Sequence, residues 1–198
     1  MTLAGNGVMI LMGAFFTGYL FLISLVMQSY MNFSSAKAGL ALLPFSILSA
    51  FVAKIVLPRL LQKVNTVLMG VAGMSFMTAG GVTLLLGIAF DFPLWIILLS
   101  VACVTGIGIA VCFVSLNIVI VQPVPANHHG LSASFTNTCF FLGGGMGLAI
   151  IGAFIPADLQ VSPWVSAGIL TAYAFAGAIL LYARYSVVKN LQATAHRL

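Results

Sequence analysis

Side chains able to carry proton, metal or nucleophile chemistry are few in this sequence, and they are scattered. Its two carboxylates, Asp91 and Asp158, lie far apart. His128 and His129 are adjacent, and neighbouring helical positions do not face one point, so the pair makes a poor chelate. The proline and asparagine around them mark a solvated loop. Cys103, Cys112 and Cys139 show neither CxxC nor paired spacing and read as small apolar packing residues. There is no HExxH and no GxSxG, and no carboxylate pair falls inside one apolar run. The expectation is a protein that is not an enzyme and takes no metal and no cofactor. What remains is a set of polar groups within apolar runs: Gln28, Ser46, Ser49, Thr105, Ser115, Asn117 and Asn137. For Ser and Thr, hydrogen bonding between helices is the better reading. Asn117 and Asn137 have more to satisfy, and a pathway role weighs evenly with packing. Phe15, Phe16 and Tyr19 are bulky rings that either pack or floor a cavity for apolar solutes.

The elements holding these groups follow from composition. Of 198 residues, 62% are apolar and 5% are charged, against about a quarter charged in a water-soluble domain. Mean hydropathy is +1.21. So little charge cannot cover a surface facing water, and disorder needs the reverse balance. The net charge of +5 is spread thinly and forms no basic patch with interleaved aromatics, so no nucleic-acid partner is expected. A lipid-spanning helix takes about 20 apolar residues to cross about 30 Å of hydrocarbon. Six such spans are read at about 8–30, 39–57, 66–90, 94–121, 131–155 and 164–182. The fold class is an all-α membrane protein, with a six-helix transmembrane bundle over 1–185 and a cytoplasmic tail over 186–198. Barrel strands are excluded because these runs are long and apolar on all sides, without alternation.

Orientation comes from Lys and Arg near the span ends. Six spans place both termini on one side, together with Lys54, Arg59, Lys63, Arg184, Lys189 and Arg197; Lys37 alone falls on the other. Both termini are therefore expected in the cytoplasm, with the chain multi-pass in the plasma (inner) membrane. Arg59 and Lys63 are expected in a basic cytoplasmic loop at 58–65. Lys54, the one charge well inside a span, is expected to snorkel to the headgroups.

Small residues give a further signal. Gly143 and Gly147 stand in GxxxG spacing with Gly144 between them, and Gly106 and Gly108 mark the fourth span. Such faces let helix backbones approach closely. Static packing is the plainer reading, and sliding during gating the sharper one.

Several runs carry a resemblance. Ala38-Gly39-Leu40-Ala41-Leu42-Leu43-Pro44-Phe45 is similar to a helix opening in the major facilitator superfamily, in its branch of fourteen-helix drug:proton antiporters. Val124-Pro125, Gly130-Leu131-Ser132-Ala133-Ser134, Asn137-Thr138 and Leu142 to Gly147 resemble the penultimate helices of that branch, and Gly106/Gly108 its Gly-rich fourth helix of this half. Departures occur at Pro58, Gln62 and Asn65, where the family's loop carries glycine, an acid and glycine, and at Phe140, where an Arg is common. The resemblance implies the C-terminal half of a transporter, truncated or split, with proton-coupled efflux of small amphipathic or drug-like compounds. It implies the lipid bilayer, a small-molecule substrate, and a missing N-terminal six-helix half or a homodimer partner. A non-transport six-helix scaffold or regulatory partner is the alternative. Phe16, Tyr19, Ser46, Asn117 and Asn137 are the expected pathway residues. Pro44, Gly106, Gly108, Gly143, Gly144 and Gly147 are expected to serve packing or gating.

Overall fold

The computed structural model describes residues 2–29, 31–90, 94–153 and 163–195. Six helices long and apolar enough to cross a membrane account for nearly all of them. They are α1 (Thr2–Ser29), α2 (Ser35–Leu61), α3 (Thr66–Ala89), α4 (94–121), α5 (His129–Ala153) and α6 (Pro163–Ala195). Asp91, Asp158, Tyr30, Arg197 and the expected end of the fifth span at 154–155 lie outside the described residues.

Local chemistry sets the helix ends. Ser34 caps α2, its hydroxyl accepting from the Lys37 N–H at 3.3 Å, and Asn32 turns the chain before it at φ +53°. Asn65 caps α3 by accepting from the Val67 N–H at 2.9 Å. The expected start of the second span at 39 is thus moved back to Ser35, where the cap sits.

One expectation is corrected here. Arg59 is not in a loop: α2 runs on to Leu61, and only Lys63 lies in the turn that follows. Proline in a helix interior lacks an N–H and presses on the carbonyl four residues back. Here the backbone widens into a π turn over Val52–Val56, where the Leu57 N–H donates to the Val52 carbonyl, and Pro58 falls in the first turn after it. The helix continues because Pro58 occupies a position that needs no donor. At the other end of the chain, α6 carries helix through much of the expected tail.

A second π turn, Ala102–Gly108, interrupts α4, with the Ile109 N–H donating to the Val104 carbonyl. Thr105 bonds back to the Val101 carbonyl at 2.7 Å, and such back-bonding together with Gly106 and Gly108 loosens the ordinary ladder.

The packing has an internal pairing. α1 packs on α5 and α6, α4 packs on α2 and α3, α1 touches α4, and α3 lies along α6. Exchanging α1–α3 with α4–α6 maps this pattern onto itself, as expected for two related three-helix units. The core at the centre is rich in fully buried methionine, with Met9, Met12, Met27, Met74 and Met77 beside Phe15, Tyr19 and Leu22. Flexible thioethers fill irregular gaps between helices well.

Candidate functional site

Halfway along α1, α2 and α4 the three helices part around a cavity of about 360 Å³. Phe16 and Leu20 line it from α1, Leu42, Ser46 and Ser49 from α2, and Thr105 and Ile109 from α4. Its position follows from backbone chemistry. Pro44 interrupts the α2 ladder one turn before Ser46–Ser49, and the π turn of α4 places Thr105 opposite. At Gly106 a Cβ would come within 2.8 Å of the Leu48 Cδ2, so the missing side chain sets how closely α2 approaches α4.

The cavity is apolar with a few hydroxyls, and their orientation matters. Thr105 donates to the Val101 carbonyl at 2.7 Å, and Ser46 to the Leu42 carbonyl at 3.4 Å. A hydroxyl hydrogen committed to its own helix leaves oxygen lone pairs for a guest. Thr105, at 2.7 Å, is committed in this way and keeps acceptor capacity, whereas the long Ser46 contact leaves that hydroxyl free to turn.

Of the residues expected in a pathway, Phe16 and Ser46 meet in this cavity. Tyr19 is elsewhere: it is fully buried, stacked on Phe15 at 5.8 Å, and its hydroxyl lies 2.8 Å from the Ser100 hydroxyl, which donates to the Gly80 carbonyl at 2.7 Å. That chain of hydrogen bonds ties α1, α4 and α3 together. Asn117 lies further along α4 and donates to the Phe113 carbonyl at 2.9 Å. Asn137 is exposed on α5, away from the cavity. Ser49 and Thr105 stand out in the sequence as polar groups at depth, whereas Leu20, Leu42 and Ile109 carry no such signal. His129 bonds to the Val124 carbonyl at 2.8 Å, which pins the turn before α5 and turns it away from a shared site with His128.

Behind the cavity wall sits Phe140. Its ring lies 6.4 Å from that of Phe16, 5.4 Å from Phe113 edge-on, and 5.4 Å from Phe141 edge-on. An aromatic at this position joins α5 to α1 and α4 by ring contacts.

The glycines of α5 meet α1 directly. A Cβ on Gly143 would strike the Ile10 carbonyl, and one on Gly147 the Ala14 carbonyl. Gly13 of α1 faces the Phe140 carbonyl in the same way. Thr17 adds hydrogen bonds to the Gly13 carbonyl at 2.7 Å and the Gly144 carbonyl at 3.0 Å. Gly108 faces Met77 of α3, with a Cβ position 2.6 Å from its Cγ.

Six apolar helices paired as two triplets, three of them parting around a cavity, define a multi-pass membrane protein with the architecture of one half of a transporter. The sequence profile described as Major Facilitator Superfamily matches residues 6–148, and the chain belongs to that family. It is also similar to the tetracenomycin C resistance and export protein of Streptomyces glaucescens, at 28% identity over 181 residues, covering 84% of this chain. The chain spans 31% of the length of that curated relative. No solved structure matches it.

Proposed function

We propose that this chain forms the C-terminal half of a proton-coupled exporter of small amphipathic compounds, placed in the plasma (inner) membrane with both termini cytoplasmic. The cavity between α1, α2 and α4 carries the reading. It is at mid-length of all three helices, where substrate sites of such transporters lie near the bilayer midplane. Its walls are aliphatic and aromatic, as pockets for drug-sized ligands are. Because Thr105 keeps acceptor capacity at the cavity wall and the Ser46 hydroxyl can turn to meet a partner, the favoured guest has an apolar body and a polar group. The resistance and export named for the Streptomyces relative support export as the activity, and the six cations to one across the expected membrane sides support the orientation.

Export needs a second bundle. Alternating access rocks one bundle against another around a shared site, and the partner is an N-terminal six-helix half. A proton relay ordinarily uses carboxylates at membrane depth. Neither acid of this sequence belongs to a described span, so the coupling group is assigned to the partner. Phe16, Ser46, Ser49 and Thr105 then contact the substrate, while Tyr19 holds the helices on which the cavity is built.

The test is reconstitution in vesicles with a pH gradient and a cationic dye. The lone chain is expected to show no uncoupler-sensitive transport, and addition of a matching N-terminal half should restore it. In that pair, Thr105→Leu, which fills the cavity, should reduce transport about tenfold, a typical loss when a positioned contact is removed. Gradient-driven transport by the lone chain would refute the assignment as a half, and full activity of Thr105→Leu would refute the cavity.

A further inference from the structure

At its far end, α2 carries three parallel rows of residues. Val52, Leu57 and Leu61 form the row turned inward, packed with Met69 of α3 and Ala110 and Val111 of α4. Their spacing of five and then four residues is not that of a continuous α-helix. It fits the π turn, in which the Leu57 N–H reaches the Val52 carbonyl five residues back, followed by an ordinary turn. Lys54, Arg59 and Lys63 repeat that same spacing two residues later, and all three are exposed. Two residues at about 100° each place the helical pair Lys54 and Arg59 roughly opposite the inward row, and Lys63 follows in the turn. Phe51, Val56 and Leu60 repeat it one residue earlier, and they too are exposed, at 52%, 36% and 39%. In an uninterrupted α-helix, residues five apart point well away from each other, and Lys54 would leave the line. The π turn therefore brings Lys54 into line with Arg59, flanked by a row of apolar side chains, with Lys63 in the turn just beyond the helix end.

Among the described residues there is no Asp or Glu to pair with this row; the sequence holds only Asp91 and Asp158, and both lie outside them. Lys54 lies furthest from the helix end, among the exposed apolar side chains Phe51, Ile55 and Val56. We propose that this outward face of α2 is a binding site for anionic phospholipid, with the phosphates on Lys54, Arg59 and Lys63 and an acyl chain along Phe51, Val56 and Leu60. Charge complementarity selects the occupant: the surface is cationic where headgroups lie and apolar where chains lie. The site needs only membrane-embedded helices, not a transport role.

Native mass spectrometry of the 198-residue chain in detergent, titrated with phosphatidylglycerol or phosphatidylcholine, reads the preference directly. Each cation near an anionic surface is worth roughly a factor of five, so a preference of at least about tenfold for phosphatidylglycerol is expected. K54Q/R59Q/K63Q should bring the two lipids to within about twofold, and Lys37→Gln, at the opposite end of α2, should leave the preference intact. A variant that keeps net charge but moves one cation off the row, K54A/I55K, should lose several-fold, roughly one cation's share. Should the triple variant lose its helical circular dichroism, Arg59→Gln alone gives the reading, with a loss of about fivefold. Equal binding of both lipids by the native chain overturns the proposal. So does a preference that survives removal of the row, or one that K54A/I55K retains in full, since bulk charge would then suffice.

Discussion

α2 and α5 occupy equivalent places in the two triplets, yet they are held in different ways. α5 lies on α1 through glycine, backbone against backbone, with Gly143, Gly147 and Gly13 all at positions where a Cβ would strike a carbonyl of the facing helix. α2 lies on α4 through side chains at a π turn, with a proline in mid-helix. Only 11% of the apolar window of α2 is buried within the bundle, against 39% for α5. Dense contact raises the free energy of local opening, and sparse contact lowers it. The cavity opens on the loosely held side. Of the helices lining the cavity, α2 is thus the one with little packing to hold it in place.

The strongest way to break this comparison is to push α5 off α1. A Cβ on Gly147 would lie 2.6 Å from the Ala14 Cα and 2.7 Å from its carbonyl carbon, so the two backbones must separate. Gly147→Ala is expected to cost about 1–3 kcal/mol, the range for overpacking a well-filled interface. That lowers the melting temperature by roughly 3–10 °C in a detergent unfolding assay read by size-exclusion chromatography. Gly145→Ala is the internal control, since nothing lies within 4 Å of its Cβ position. Similar losses for both would mean that helix flexibility, and not the close approach, is what these glycines supply.

A smaller effect is expected at the bond linking the two triplets. Tyr19→Phe removes the hydroxyl facing Ser100 but leaves the ring stacked on Phe15 and leaves Ser100 bonded to the Gly80 carbonyl. One hydrogen bond between membrane helices is worth about 0.6 kcal/mol. Ser100→Ala breaks both bonds and should cost about twice as much in the same assay. A Tyr19→Phe variant of unchanged stability and lost transport would return Tyr19 to the substrate pathway.

How much of this was legible beforehand depends on the kind of feature. The six long apolar helices were, because lipid leaves only helix as a spanning element here and the apolar runs are long enough to form it. The approach of Gly143 and Gly147 to α1 could be guessed as close packing, but not its partner, since GxxxG says nothing of what faces it. Arg59 was misplaced because Pro58 reads as a helix breaker. Its effect was absorbed by a π turn upstream, a rearrangement without a composition signal. For the cavity, Phe16 and Ser46 were within reach as a ring and a hydroxyl at mid-depth. Leu42 and Ile109 were not, as an aliphatic lining residue is chemically identical to one facing lipid. Tyr19 is as aromatic and as deep as Phe16, and only helix rotation separates the buried ring from the one in the cavity.

The smallest expected effect tests the loose side. Gly106 and Gly147 look alike in sequence, each at a helix contact. At Gly106, however, a Cβ would meet only the Leu48 side chain, 2.8 Å from Cδ2 and 3.4 Å from Cγ, with no backbone of α2 within 4 Å among its three nearest atoms. Leu48 is half-buried, next in sequence to the cavity residue Ser49, so its end can turn aside. Alanine also improves on glycine within a helix by up to about 1 kcal/mol, which offsets the cost of moving Leu48. Gly106→Ala is therefore expected to change stability by less than about 0.5 kcal/mol, within the range of a substitution that disturbs no fixed contact. Its consequence should appear in the cavity instead, where a displaced Leu48 alters the reactivity of a Ser46→Cys thiol towards a small aqueous reagent. If Gly106→Ala destabilises as much as Gly147→Ala, α2 is locked on α4 as firmly as α5 on α1, and the asymmetry between the triplets is one of surface area, not of mobility.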